Sequence, residues 1–202
     1  IPLKSKKLVI LGACNALLLL TGCVATPPEC VVTTTGAMSN SNAKPVSRSN
    51  SLELAFDGSA SMLGYVAEGK PAESWQAIVN VINQSAAAIN VNVVTYRVGG
   101  GKVKNVPSVQ KATQPCFYQG CGQYGPVASS LHTLWEKEGI IPSTGGAAPK
   151  IPLRMLVTDL EANDGDISEV IKSVRPHVEQ GAVIGVVAMK VPFNGSVYNS
   201  KA

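Results

Sequence analysis

Leu52-Glu53-Leu54-Ala55-Phe56 runs without interruption into Asp57-Gly58-Ser59-Ala60-Ser61-Met62. The first part is a strand-length, mostly apolar run, and the second is a turn that carries one carboxylate and two hydroxyls at alternate positions. Gly58 and Ala60 keep bulk away, so a turning loop can aim Asp57, Ser59 and Ser61 at one point.

Reading outward, Trp75, Ile78, Val79, Ile82, Ala86 and Ile89 follow the spacing of an amphipathic helix entered through Pro71-Ala72-Glu73-Ser74. Val91, Val93, Tyr96 and Val98 predict a second strand, which Gly99-Gly100-Gly101 turns toward Val103 in a hairpin. A shorter helix is expected from about Val127 to Glu138. Leu153 to Val157 is a further apolar strand. Ile167, Val170, Ile171, Val174 and Val178 mark a helix that Pro176 is expected to kink or shorten, and Ala182 to Val191 predicts another buried strand. Strands alternating with helices predict an α/β domain over residues 51–202, a mostly parallel sheet covered by helices on both faces. A final strand after Asn194-Gly195-Ser196-Val197-Tyr198 is wanting, so the domain is expected to be cut short at Ala202.

Loops at the carboxyl ends of such strands are where ligands bind, because side chains within the sheet are taken up by packing. Asp57 to Met62 follow one such strand and Thr158-Asp159 follow another. Asp57, Ser59, Ser61 and Asp159 are therefore candidate ligands for a hard divalent cation, Mg²⁺ or else Mn²⁺ or Ca²⁺, which takes oxygen donors and keeps waters. Here residues 51 to 192 resemble the von Willebrand factor type A family, with its Asp-x-Ser-x-Ser after the first strand and an Asp after a later one. The resemblance implies a three-layer, Rossmann-like fold and a metal-ion-dependent adhesion site formed by Asp57, Ser59, Ser61 and Asp159. It also implies a protein partner whose acidic side chain supplies the last ligand, with the metal as a bridge and not a catalyst. One limb departs from the family pattern. In place of a Thr loop ahead of the middle helix the chain offers Gly120-Cys121-Gly122, Tyr124-Gly125, Ser129, Ser130 and Thr133, of which Ser130 is the nearest substitute.

The N-terminus carries a second signal. Lys4, Lys6 and Lys7 precede residues 8 to 22, LVILGACNALLLLTG, which hold no charge. That is the pattern of a secretory signal, and its apolar stretch falls short of the roughly 20 residues of a spanning helix. Leu20-Thr21-Gly22-Cys23 resembles the lipobox of bacterial lipoproteins, which implies cleavage after residue 22, acylation of Cys23 (palmitate among the chains) and a lipid anchor in the cell envelope. Val24 after the cysteine points to the outer membrane where the source is Gram-negative. Leu11-Gly12-Ala13-Cys14 fits the same short pattern but follows too few apolar residues. Residues 24 to 50, rich in Ser, Thr, Asn, Ala and Pro, read as a tether beginning at Cys23, with a coil span of roughly 30 Å.

The chain has 17 basic and 13 acidic residues, and without the three N-terminal lysines 14 against 13, a net charge of +1. That near-neutral balance, with no Lys/Arg cluster, excludes nucleic acid as a partner. Cys116 and Cys121 are expected to close a small disulfide loop in an oxidising compartment, leaving Cys30 either free or paired with another chain. The acidic run from Asp159 to Asp166 fails the EF-hand pattern and is expected to be a solvated turn in which Asp164 or Asp166 caps the next helix, and Gly99-Gly100-Gly101-Lys102 fails the phosphate-loop pattern. A hydrolase would need Ser59 or Ser61 as nucleophile and His132 or His177 as base, yet no Gly-x-Ser-x-Gly elbow is present. No catalytic residue is assigned. The competing readings are a metal-free structural lipoprotein of the same fold and that serine hydrolase.

Overall fold

The computed structural model describes residues 5–12, 48–136, 151–161 and 166–196. Its strands are β1 (Ser5–Gly12), β2 (Arg48–Asp57), β3 (Asn92–Gly99), β4 (Lys102–Val106), β5 (Ile151–Thr158) and β6 (Gly185–Pro192). Its α-helices are α1 (Lys70–Ala88), α2 (Cys116–Gln119), α3 (Thr133–Glu136) and α4 (Asp166–Glu179). The strands form one mixed sheet in the order β4-β3-β2-β5-β1-β6. β2 pairs in parallel with β3 and β5, and β6 shares their direction because β1 runs antiparallel to both β5 and β6.

β2 lies between two parallel neighbours, so both its faces are packed, and Glu53, the charged residue in its apolar run, is paired with Arg154 of β5. Leu52, Leu54 and Phe56 point into one core with Trp75 and Val79 of α1, while Ala55 points into the other with Val98, Leu131, Leu134 and Leu156. Each fully buried Leu or Phe of this kind contributes roughly 1.5–3 kcal/mol. The sheet is thus covered on both faces, and the molecule is an α/β fold.

α1 begins at Gly69, whose φ of +83° suits the non-helical capping position, with Pro71 in the first turn where its missing N–H costs nothing. It ends at Asn90, which takes φ +54°, so that Val91 N–H closes back on the Ala86 carbonyl. Three glycines of positive φ, Gly99 to Gly101, make the β3–β4 hairpin as expected.

Several expectations need correction. β2 starts at Arg48, so the first strand reaches three residues into the stretch read as tether. The helix expected over 127–138 is confined, among the described residues, to Thr133–Glu136. Val127, which lies against Gly99 and Gly100, and the backbone bond from the Gly100 N–H to the Ala128 carbonyl hold the preceding segment against the hairpin instead. α4 runs through Pro176 to Glu179, so the proline does not end the helix where it stands. β6 is an edge strand, not a buried one: Val186 is 60% and Val187 56% exposed. Val170 of α4 packs on the second core, whereas Ile167, Ile171 and Val178 are exposed. Ser5–Gly12, within the stretch read as an export signal, is a strand of the sheet. Cys14, Cys23, Cys30, Asp164 and Val197 to Ala202 lie outside the described residues. No described helix is long and apolar enough to cross a membrane.

Candidate functional site

β2 and β5 are neighbours in parallel register, Phe56 beside Val157, so both chains leave the sheet at the same edge and at the same height. This alone brings Asp57 and Asp159 into one loop cluster although 101 positions separate Asp57 from its partner Thr158.

Asp57 is fully buried. Its Oδ1 accepts the Ser59 N–H at 2.9 Å, a turn that Asx residues form locally. Its Oδ2 accepts the hydroxyl of Thr158 at 3.0 Å and that of Ser129 at 3.4 Å. Ser59 and Ser61 share a hydrogen bond between hydroxyls of 2.9 Å, and the Ser61 hydroxyl donates to Asp159 Oδ1 at 3.2 Å. The same Asp159 oxygen accepts the Glu161 N–H, while Thr158 Oγ1 accepts the Leu160 N–H, so both residues are fixed by their own loop. The four residues singled out by sequence, Asp57, Ser59, Ser61 and Asp159, therefore form one continuous hydrogen-bonded cluster.

Burial pushes the Asp57 carboxyl above its ordinary range. The bonds from the Ser59 backbone and side chain oppose that shift, the charge of Asp159 adds to it, and the Thr158 hydroxyl opposes it again. Two carboxylates packed with three serine hydroxyls make an oxygen-rich arrangement that can accept a cation. The donors are all hard oxygens, which fits Mg²⁺ or Mn²⁺ and leaves positions for water. Among the described residues no group of three or more His, Cys, Asp and Glu is placed to hold a metal.

Of the two adjacent serines, Ser129 is the one whose hydroxyl reaches Asp57. Ser130 Oγ instead accepts the Gly101 N–H at the hairpin tip, and its carbonyl accepts the Thr133 hydroxyl. Sequence spacing could not choose between adjacent serines on an irregular segment. Thr158 was visible only as the residue before Asp159, and Arg97, which donates to the Gly58 and Gly125 carbonyls, was missed as a charge inside an apolar strand.

Cys116 and Cys121 form the expected disulfide, with Cα atoms 5.2 Å apart. His177 Nε2 lies 3.1 Å from the carbonyl oxygen of Trp135 on the far face of the sheet. At the start of the acidic turn Asp159 Oδ1 accepts the Glu161 N–H.

No protein-family model matches the chain, and neither a curated protein nor a solved structure is significantly similar to it.

Proposed function

We propose that the protein is a cell-envelope lipoprotein, anchored through acylated Cys23, whose α/β domain is a type-A-like module that binds a protein partner through a divalent cation. The observation that carries this reading is the cluster of Asp57, Ser59, Ser61, Ser129 and Asp159 at one edge of the sheet. Mg²⁺ or Mn²⁺ is the favoured ion, since the donors are few, neutral in the majority and compact. A cation held there would present an open coordination position outward, and an acidic side chain of the partner would fill it. The strand order β4-β3-β2-β5 with its single hairpin supports the type-A assignment.

A binding role is preferred to hydrolysis because the Ser61 hydroxyl is engaged with Asp159, Ser59 with Ser61, and His177 with a backbone carbonyl. The lipid anchor rests on the lysines and the lipobox that ends at Cys23. An outer-membrane position applies where the source is Gram-negative.

Thermal melts in Mg²⁺ or Mn²⁺ against EDTA test the domain reading: ligand-linked stabilisation is expected and should vanish in Asp57→Ala. A wild type that melts at the same temperature with either ion as with EDTA would contradict it. Metabolic labelling with palmitate tests the anchor, with incorporation expected in the wild type and absent in Cys23→Ser.

A further inference from the structure

Arg97 sits on β3 beside Phe56 of β2 and is only 3% exposed. Its guanidinium lies against a pair of packed aromatic rings, 5.6 Å from the centre of Phe117 and 5.7 Å from that of Tyr124. Nη2 donates both its protons, one to the Gly58 carbonyl and one to the Gly125 carbonyl, each at 3.0 Å. Gly58 is the second residue of the Asp57 turn, and Gly125 opens the segment that carries Ser129. One side chain therefore ties the two loops whose hydroxyls and carboxylate meet at Asp57.

Keeping an arginine there is costly. Burial lowers its affinity for its proton, opposed by Tyr118, Tyr124 and, last, Asp57. Among the described residues its Nε finds no hydrogen-bond acceptor, a deficit worth roughly 1–3 kcal/mol for a buried donor. The fit is also tight: a Cβ on residue 58 would fall 2.5 Å from Nε and 2.7 Å from Cγ of Arg97, so only glycine leaves room. A residue this expensive is better explained by what it bridges than by what it stabilises alone.

We propose that Arg97 is a positioning residue for the cation site, a rivet that fixes the Asp57 turn against the Gly125–Ser129 segment so that Ser129 reaches the shared carboxylate. The assignment rests on the cation reading given above, but its geometry does not. The hydrogen bonds of Arg97 run to the Gly58 and Gly125 carbonyls, and its role is mechanical more than electrostatic.

That distinction fixes the sign of the test. Were Arg97 acting by its charge alone, removing a cation from beside two carboxylates would tighten divalent-ion binding. A rivet predicts the reverse. In the full chain, Arg97→Met, which keeps volume and apolar stem, is expected to weaken Mn²⁺ binding by about 10-fold or more, the usual scale for residues that orient metal ligands. Arg97→Lys should recover part of the loss, because one ammonium can still reach a single carbonyl. Gly58→Ala, which drives a methyl group into the guanidinium, should mimic Arg97→Met. Hydrogen exchange of the metal-free chain supplies a readout that needs no ion: residues 57–61 and 125–130 should exchange faster in Arg97→Met while α1 stays protected. Unchanged or tighter Mn²⁺ binding with unchanged loop exchange would overturn the rivet. A wild type that binds no Mn²⁺ would sink the cation reading, and loop exchange would then decide Arg97 by itself. Should Arg97→Met lose its near-ultraviolet dichroism, the comparison passes to Arg97→Lys, where slower loop exchange than in wild type, or none different, counts against the proposal.

Discussion

The Ser61 hydroxyl donates to Asp159 across 98 positions of sequence, a bond of 3.2 Å that joins the loop after β2 to the loop after β5. Parallel pairing of those strands is what makes it possible. A one-residue slip in their register would turn Phe56 and Val157 to the opposite face and carry Asp57 away from Thr158.

Ser129 and Ser130 are neighbours with different duties. Ser129→Ala is expected to weaken Mn²⁺ binding by roughly 3- to 10-fold, the equivalent of about 1 kcal/mol for one hydrogen-bonding hydroxyl. Ser130→Ala should leave affinity within experimental error and instead speed amide exchange at Gly101, whose N–H its hydroxyl accepts. Isothermal titration of both variants checks the contrast.

Much of the fold was legible because periodicity survives where packing is two-sided. Leu52 to Phe56, the α1 stripe through Trp75 and Val79, and the triple-glycine hairpin each announce themselves in composition. Three features were not legible for a common physical reason: tertiary neighbours decide them. Val127 to Leu131 has helical-looking residues but is held by the hairpin, β6 has a buried strand's composition but lies at the edge, and Arg97 is buried by aromatic rings distant in sequence. Within the site, Asp57, Ser59, Ser61 and Asp159 could be read from strand-following loops. Ser129 required coordinates.

Asp57 gives the site a pH dependence. Its carboxyl is raised by burial, so its contribution to folding is fully present below the unfolded-state value and is lost as pH rises through the higher folded value. The metal-free protein should therefore lose stability through this group as pH rises from the unfolded-state carboxylate range toward the raised folded-state value. A bound cation requires the carboxylate, so the Mg²⁺-induced rise in melting temperature should grow over the same window and shrink on acidification before ordinary carboxylates titrate. Melting curves across that range, with and without Mg²⁺, should show the dependence in wild type and its absence in Asp57→Asn.

Trp75 is the central support beneath the site-bearing strand. It is fully buried, stacks on Tyr65 with ring centres 5.5 Å apart and donates from Nε1 to the Ala112 carbonyl at 2.8 Å. Trp75→Ala should cost roughly 3–5 kcal/mol, the range for a large ring removed from a packed core. Trp75→Phe should cost roughly 1–2 kcal/mol, because the Ala112 carbonyl still accepts the Tyr118 hydroxyl. Urea denaturation of both variants provides the comparison.

Cleavage before Cys23 would remove β1 from between β5 and β6. Through β1, Leu156 stands level with Val186 and Val157 with Val187, and β5 and β6 run the same way. A shift of about one strand spacing, ~4.8 Å, would pair them directly in parallel. Hydrogen exchange on the processed chain should show amides of residues 185–188 at least as protected as in the full chain. Loss of protection there would mean that the sheet does not close.

The most direct test of the account is titration of the full chain with Mn²⁺, followed by calorimetry and by loss of the free-ion paramagnetic signal. One ion per chain is predicted, abolished in Asp57→Ala and weakened in Asp159→Asn. An absence of binding in the wild type, or an unchanged titration in Asp57→Ala, would contradict it.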